Sequence, residues 1–222
     1  FDDLGGMSIT IGDWYSSEEV GESDYAKATE DYRQEIMEKY NIPGICGIDT
    51  RKLVRSIRDL GSRKALLTDM DTSLQDGLCK LDLYNIPKDA VSRVSRKEIQ
   101  QYLVPDGKYH VAAVDCGMKQ NIVRTLNRRG CSVTVFPWNT SVGEIEKLRP
   151  DGIFLSNGPG NPEDVQTVVE LVKELKGKYP IFGICLGHQI ISLAYGARIY
   201  KLKFGHRGGN HPVKNLQTGK IE

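Results

Sequence analysis

Between residues 180 and 189 the sequence reads Pro180-Ile181-Phe182-Gly183-Ile184-Cys185-Leu186-Gly187-His188-Gln189. Its apolar start predicts a buried strand, and residues 189–194 predict a helix packed behind that strand. Between them, Gly183 and Gly187 flank Cys185 in the Gly-x-nucleophile-x-Gly pattern of a nucleophile elbow. A strand-to-helix reversal this tight leaves no room for flanking side chains and strains the backbone of its central residue. The stretch therefore predicts a cysteine held out from the edge of a sheet.

Cys185 can be interpreted as a structural residue or as a catalytic one. A free cysteine is most often a buried structural residue. The flanking glycines, the preceding strand and the following helix favour a catalytic nucleophile instead. A thiol at a helix N-terminus also lies where the helix dipole favours an anion such as a thiolate. We therefore predict that Cys185 is a catalytic residue.

The second half of the chain alternates apolar runs with helical patterns. The predicted strands are 111–114, 132–136, 152–155 and the run that leads into Cys185, and the predicted helices between them are 121–129, 142–148 and 163–175. Near-continuous apolar strands separated by helices indicate a parallel sheet that is buried on both faces. We predict an α/β fold with a doubly wound, flavodoxin-like parallel sheet, in which ligands bind at the carboxyl ends of the strands.

A rigid loop follows the third of these strands. It reads Ser156-Asn157-Gly158-Pro159-Gly160-Asn161-Pro162. Its glycines and prolines make a turn that can aim backbone N–H groups at one point, which is typical of an anion-binding nest. A plain strand-to-helix loop is the simpler interpretation. Beside a cysteine elbow, we favour a loop that presents N–H donors to an oxyanion.

The histidines near the elbow leave alternatives open. Residues 204–213 are rich in glycine and contain His206 and His211. A metal site would need a third ligand, which the spacing of these histidines does not supply. Either histidine could be the base that a cysteine nucleophile needs. A turn shaped by glycine is the simplest interpretation of the segment. We expect His188, in the first turn of the predicted helix, to point around the helix and to be structural.

The bulk composition excludes several classes of protein. The net charge of the 222 residues is +1, which gives no electrostatic reason to expect nucleic acid or a membrane surface as a partner. No apolar run approaches the roughly 18 residues of a transmembrane helix, and residues 1–6 do not resemble a signal peptide. The five cysteines are scattered and lack a C-x-x-C pair, which argues against a disulfide framework and a zinc site. We expect a cytoplasmic protein, and the start at Phe1 suggests a fragment.

The first half is less regular. It predicts an edge strand over 7–11, a helix over 24–40, a short strand over 45–48, a helix over 51–60 that is capped by Asp49 or Thr50 and stopped by Gly61, and a strand over 63–68. The basic run within 51–55 is interleaved with apolar residues, so it indicates a solvated helix face and not a nucleic-acid site. Pro105-Asp106-Gly107-Lys108 is the predicted boundary between a smaller N-terminal α/β domain, 1–106, and the parallel-sheet domain, 107–222.

Several motifs carry a family resemblance. The elbow, preceded by Leu155-Ser156-Asn157-Gly158-Pro159-Gly160-Asn161-Pro162, resembles the class I glutamine amidotransferase domain. The segments 47–53, 115–122 and 203–213 narrow the resemblance to the small, glutamine-hydrolysing subunit of carbamoyl-phosphate synthetase. The resemblance extends from about Asn41 to the end of the sequence, with four motifs in the order of the family.

The resemblance implies a function for individual residues. Cys185 would attack the side-chain amide of L-glutamine, the backbone N–H groups of Gly158 and Leu186 would hold the oxyanion, and Gly160 and Gln189 would help to bind the substrate. The ammonia would pass through an internal tunnel to a large synthetase subunit or domain that binds ATP, magnesium and bicarbonate. No cofactor and no metal are expected on this chain.

The sequence departs from the family pattern in its catalytic and glutamine-contacting residues. The family's catalytic His and its Glu partner lie in segments that would follow Glu222, and His206 and His211 belong to a different motif. The family's N-terminal glutamine-contacting Ser would precede Phe1. We therefore expect a fragment lacking both ends, whose 222 residues alone hydrolyse glutamine very poorly or not at all.

Three rival functions remain at the level of sequence. One is another triad amidotransferase, serving anthranilate, guanylate or cytidylate synthesis, which the segment 49–53 disfavours. A second is a non-catalytic subunit that docks on an ammonia-using synthetase, which Cys185 disfavours. A third is an unrelated cysteine hydrolase, which the Gly-Pro-Gly loop and Gln189 disfavour. The sequence leaves open whether the product serves arginine or pyrimidine synthesis.

Overall fold

The computed structural model describes residues 47–69, 71–203, 205 and 212–221, together with 32, 34, 35, 37–41 and 45. The chain divides into two compact units, of which the larger is Lys64–Leu202. The smaller unit consists of the residues up to Arg63 and those from Lys203 onward. The predicted domain boundary after residue 106 stays a prediction.

The smaller unit contains helix α1, Thr50–Leu60, which the sequence predicts together with both of its ends. Asp49 caps the N-terminus because its carboxylate accepts a hydrogen bond of 2.8 Å from the Lys52 N–H. Gly61 ends the helix with φ of 88°, a backbone conformation that favours glycine. The next N–H, of Ser62, donates to the carbonyl oxygen of Lys203 at 3.0 Å.

The larger unit is built on a sheet of five strands. These are β1 (Gln100–Tyr102), β2 (Tyr109–Asp115), β3 (Cys131–Pro137), β4 (Gly152–Leu155) and β5 (Ile181–Gly183), in the order β1-β3-β2-β4-β5. β1 is antiparallel to β3 at one edge, and the other pairs are parallel. The four parallel strands follow the flavodoxin-like order, which confirms the predicted fold class. The strand order reverses between β2 and β4, so the loops after these strands border a switch point, where such sheets bind ligands.

The helices of the larger unit lie before, between and after these strands. They are α2 (Leu74–Leu83), α3 (Ala90–Val94), α4 (Gln120–Arg128), α5 (Val142–Leu148), α6 (Gln166–Leu175) and α7 (Leu186–Ala194), with a 3₁₀ turn at Pro162–Asp164. A capping box between Ser141 and Glu144 fixes the start of α5. The sequence predicts the elements from β2 to α7 with differences of only a few residues at their ends.

The sheet is buried on both faces, as continuous apolar strands require. Successive side chains of β2 point to opposite faces, so Ala112 and Val114 join one core cluster and Ala113 joins the other. Buried residues of α5, α6 and α7 complete the first cluster. Val123 of α4 belongs to the second.

Two strand predictions in the first half are wrong. Residues 63–68 form no strand. The side chain of Lys64 packs along α2 and caps its C-terminus, where Nζ donates to the carbonyl oxygens of Leu81 and Tyr84 at 3.0 and 2.5 Å. Leu66 lies against Gly77 of the same helix. The described residues of the predicted strand 45–48 are not in a strand either.

Other predictions for the first half fall partly outside the described residues. The predicted strand 7–11 and the first part of the predicted helix 24–40 lie there, while residues 32, 34, 35 and 37–39 are helical. The sequence missed α2, α3 and β1. Among the described helices none is long and apolar enough to cross a membrane, and the same residues hold no group of three or more His, Cys, Asp or Glu placed to bind a metal.

Candidate active site

Cys185 lies between β5 and α7, at the carboxyl edge of the sheet. It is the N-cap residue of α7 and has φ of 53° and ψ of −111°, a conformation that non-glycine residues rarely adopt. Its side chain is exposed. Backbone hydrogen bonds on both sides hold the turn, from Ile184 N–H to the Leu155 oxygen at 3.1 Å and from Gly187 N–H to the Ser156 oxygen at 3.1 Å. The strained, outward-facing cysteine that the sequence predicts is therefore present.

The two glycines of the elbow are required by close backbone contacts. A Cβ on Gly187 would overlap the carbonyl oxygen of Leu155 at the end of β4. A Cβ on Gly183 would come within 2.5 Å of the carbonyl carbon of Gly187. Glycine at both positions thus lets α7 begin directly behind β5, as the Gly-x-Cys-x-Gly spacing predicts.

The Gly158 loop lies beside the start of α7. A Cβ on Gly158 would overlap the carbonyl oxygen of Cys116 and come within 2.8 Å of Cδ2 of Leu186. Gly158 therefore lies against the side chain of Leu186, the residue that follows Cys185. In the part of the chain that the structure describes, neither the Gly158 N–H nor the Leu186 N–H donates a hydrogen bond. Two backbone donors are thus available at the site.

The other two predicted substrate-binding residues are exposed. Gly160 has φ of 91°, and a Cβ there would lie 3.6 Å from the Cβ of Ala90 in α3. Gln189 is in the first turn of α7, where its N–H donates to the carbonyl oxygen of Cys185 at 3.1 Å. The loop after β4 and the turn into α7 thus carry all five predicted site residues.

The loop after β2, which borders the same edge, is organised by the carboxylate of Asp115. One oxygen, Oδ1, accepts hydrogen bonds from the N–H groups of Gly117 and Met118 at 2.8 and 2.7 Å. The other, Oδ2, accepts from the backbone N–H of Arg96 at 3.1 Å and lies 3.1 Å from Nε of the same arginine. The side chain of Asp115 is only 3% exposed, so the ion pair lies in the protein interior.

Polar side chains also join the loop after β2 to the Gly158 loop. Asn157 accepts a hydrogen bond from the Lys119 N–H at 3.2 Å and donates to the carbonyl oxygen of Gly117 at 3.0 Å. The hydroxyl of Ser156 accepts from the Cys116 N–H at 2.9 Å and donates to the carbonyl oxygen of Asn157 at 2.7 Å. The amino-acid sequence did not predict this network. The pattern that could have indicated it is the polar residues at the ends of two parallel strands, Asp115 at the end of β2 and Ser156 and Asn157 after β4.

Cys116 and Cys185 have different environments. Cys116 is fully buried, and burial, together with the nearby charge of Asp115, raises the pKa of its thiol to about 12. The cysteines that the structure describes are free thiols, of which Cys79 is also exposed.

Two of the four histidines lie in the described part of the chain, and one of them, His110, lies away from the elbow. His110 lies near the amino end of β2, far along the strand from the elbow edge, and its Nε2 is 2.8 Å from the hydroxyl of Thr134. His188 is exposed in the first turn of α7, and its carbonyl oxygen accepts a hydrogen bond from the Ser192 hydroxyl at 3.0 Å. His206 and His211 lie outside the described residues.

Comparisons with known proteins give two family matches. Residues 112–222 match the model of the class-I glutamine amidotransferases. Residues 17–67 match the model of the carbamoyl-phosphate synthase small chain, CPSase domain. The elbow and both neighbouring loops fall within the first match.

Curated relatives of this chain include several carbamoyl phosphate synthase small chains. That of Staphylococcus saprophyticus is 50% identical over 187 residues, which cover 84% of this chain and 50% of the relative. That of Bacillus cereus is 50% identical over 195 residues, 86% of this chain and 53% of the relative. The chain spans about half the length of the curated relatives it matches.

A solved structure is also similar in sequence over part of the chain. It is a protein of Thermoplasma acidophilum that is described as one component of a GMP synthase. It is 28% identical, with a TM-score of 0.37 and coverage of 47% of this chain and 50% of that chain.

Proposed function

The chain belongs to the class-I glutamine amidotransferase family, and we propose that it is part of a carbamoyl-phosphate synthase small chain that releases ammonia from L-glutamine. The observation that carries the proposal is the exposed Cys185, held at positive φ at the start of α7 beside two backbone donors. A strained nucleophile next to an oxyanion site is the arrangement that acyl transfer needs.

The proposed reaction runs through a thioester on Cys185. The sulfur attacks the carbonyl carbon of the glutamine side chain, and the amide oxygen becomes an oxyanion. The C–N bond then breaks, and the thiol proton leaves with the nitrogen as ammonia. Water hydrolyses the thioester, which releases glutamate and restores the thiol.

The two open N–H groups support the assignment of the oxyanion site. A hydrogen-bond donor aimed at the developing charge lowers the barrier because it interacts more strongly with the oxyanion than with the neutral amide. The N–H of Leu186 is also one of the unpaired donors at the start of α7, where the helix dipole favours negative charge. We assign the oxyanion to the Gly158 and Leu186 N–H groups.

Gly160 and Gln189 are proposed to bind the rest of the glutamine molecule. Both are exposed and belong to the two segments that bring Gly158 and Leu186 together. The amide of the Gln189 side chain has both donors and acceptors, as recognition of an amino acid requires. The backbone at Gly160 can approach a ligand closely because it has no side chain.

The proposed partner is a carbamoyl-phosphate synthetase large subunit or domain. The names of the small-chain relatives support a partner of this kind. We place ATP, magnesium and bicarbonate on that partner, which receives the ammonia through a tunnel, and no cofactor on this chain. The compartment we propose is the cytoplasm, where the exposed thiols Cys79 and Cys185 would stay reduced.

Ammonia release from glutamine tests the proposal. The protein is prepared as its gene encodes it, together with its large subunit, and compared with Cys185→Ser and with Cys79→Ser, which changes an exposed thiol on α2. Loss of the nucleophile should lower kcat by at least about 10³-fold, and the control should keep full activity. A Cys185→Ser protein that still releases ammonia at the original rate would refute the assignment. A wild-type complex that uses free ammonia but never hydrolyses glutamine would favour a docking-only subunit.

A further inference from the structure

The segment from α3 to β1, residues 90–102, lies against both loops of the candidate site, although it precedes the family match that begins at residue 112. A Cβ on Gly117 would lie 3.0 Å from Cγ2 of Val94, and one on Gly160 would lie 3.6 Å from the Cβ of Ala90. The hydroxyl of Ser95 accepts a hydrogen bond from the Trp138 N–H at 3.0 Å, beyond the end of β3. The segment therefore borders the carboxyl edge of the sheet, where the proposed reaction occurs.

Arg96 connects this segment to Asp115. Its guanidinium pairs with the Asp115 carboxylate and also donates to Oε1 of Gln100 at 2.8 Å, to the hydroxyl of Tyr102 at 2.9 Å and to Oε1 of Gln120 at 3.1 Å. The guanidinium carbon is 5.5 Å from the centre of the Tyr102 ring, within cation–π range. A side chain with this many partners has one orientation, and it fixes the position of the carboxylate.

Asp115 transmits this position to the Gly158 loop. Its two oxygens accept three backbone N–H groups, from Arg96, Gly117 and Met118, and the Arg96 side chain. The turn after β2 is thereby fixed, and Asn157 is bonded to that turn at both ends of its amide group. The next residue is Gly158, where a Cβ would overlap the Cys116 carbonyl oxygen. A continuous set of hydrogen bonds therefore runs from Arg96 to the residue before the proposed oxyanion donor.

We infer that Arg96 and Asp115 are positioning residues for the glutaminase reaction, which set the direction of the Gly158 N–H through the turn after β2 and Asn157. This inference rests on the proposed function and extends it to Arg96, which lies outside both family matches. Neither residue touches the reacting atoms. Their effect is on the geometry of a donor that acts in the transition state.

A positioning role predicts a loss of kcat with little change in KM. A displaced oxyanion donor weakens transition-state binding more than substrate binding, and a misplacement of about 1 Å can cost on the order of 10²-fold. Asp115→Asn puts an NH₂ group where the carboxylate accepts hydrogen bonds, so it should lower kcat for ammonia release about 10- to 100-fold. KM for glutamine should change less than about 3-fold.

Two further variants keep the test independent of folding. Arg96→Met removes the charge but keeps much of the side-chain length. Tyr102→Phe removes one partner of Arg96, the hydroxyl that also donates to Oε1 of Gln100 at 2.9 Å. The expected order of kcat loss is Asp115→Asn, Arg96→Met, Tyr102→Phe. Because the residues act as one unit, the double variant of Arg96 and Asp115 should lose little more activity than Asp115→Asn alone. Asp89→Asn, which breaks an exposed ion pair with Arg93 nearby, is the matched control and should keep its kcat.

The outcomes separate this inference from the proposed function. If Cys185→Ser abolishes ammonia release but all three variants keep kcat while they are folded, the positioning role is wrong and the proposed function stands. A rise in KM at constant kcat, or a lower melting temperature without a change in kcat, would also overturn the inference. If the wild-type complex does not hydrolyse glutamine, the proposed function itself fails.

Discussion

Cys116 and Cys185 occupy comparable places in the sheet and have opposite environments. Each follows a parallel strand, β2 or β5, at the carboxyl edge. Cys116 is fully buried beneath the Gly158 loop, with a thiol pKa of about 12, whereas Cys185 is exposed. A place at the functional edge of a doubly wound sheet therefore does not by itself make a cysteine reactive.

The difference comes from how the chain leaves each strand. After β2, the carboxylate of Asp115 accepts hydrogen bonds from the N–H groups of Gly117 and Met118, and the hydroxyl of Ser156 accepts one from the N–H of Cys116. The backbone donors of this turn are therefore satisfied within the protein. After β5, Gly183 and Gly187 allow the helix to begin at once, with Cys185 at positive φ. Backbone geometry, more than sequence position, separates the structural thiol from the proposed nucleophile.

The largest effect we expect is in the rates of thiol alkylation. At pH 8 a thiol with a pKa of about 12 is about 10⁻⁴ ionised, and Cys116 is also shielded from the reagent. Iodoacetamide should therefore modify Cys185 at least about 10³-fold faster than Cys116 in the folded protein. Mass spectrometry of the digested protein resolves the two sites, and the exposed Cys79 provides an accessible reference. Similar alkylation rates at Cys116 and Cys185 would show that the two thiols do not differ in accessibility and ionisation.

A second prediction breaks the elbow itself. Gly187→Ala places a methyl group on the carbonyl oxygen of Leu155, so β4 and α7 must separate. We expect the free energy of unfolding to fall by about 3 kcal/mol, the upper range for overpacking, as measured by urea denaturation. Gly143→Ala is the control, because a Cβ there has no atom within 4 Å and the residue lies in α5. It should change stability by no more than about 1 kcal/mol, in the stabilising direction.

The smallest effect is the change in stability per pH unit to which Cys116 contributes. Its pKa is raised from 9.0 to about 12 on folding, so between these values the unfolded chain binds fewer protons than the folded one. Stability should therefore fall with rising pH in this window, with a contribution from this thiol of about 1.4 kcal/mol per pH unit. In Cys116→Ala, the free energy of unfolding should fall less steeply above pH 9, by that amount per pH unit. Below pH 8 it should differ from the wild-type value by a constant. If the stability curves of the wild type and Cys116→Ala were parallel over the whole pH range, the thiol of Cys116 would not have a raised pKa in the folded protein.

The sequence predicted those parts of the site that depend on local patterns. The elbow was visible because the glycines that its close contacts require are two residues from Cys185 on either side. The parallel strands were visible because strands buried on both faces are continuously apolar. The same reasoning fails at residues 63–68, where Lys64 caps α2 and the segment forms no strand.

The network that supports the site could not be predicted in this way. Arg96 and Asp115 are 19 residues apart, and Ser156 binds the N–H of a residue 40 positions before it. Such pairs depend on which strands become neighbours, and local periodicity carries no information about that. The helix α3 and strand β1, which bring Arg96 to the edge, are also only 5 and 3 residues long, too short for a period to be recognised.

The most direct test of the account is to identify the residue that carries the covalent intermediate. The protein as its gene encodes it, with its large subunit, is mixed with radiolabelled glutamine and quenched in acid over milliseconds to seconds, and the labelled peptide is identified. We predict a thioester on the peptide that contains Cys185, none on the peptide that contains Cys116, and no label in Cys185→Ser. Label on another residue, or ammonia release without any label on Cys185, would contradict the assignment of Cys185 as the nucleophile.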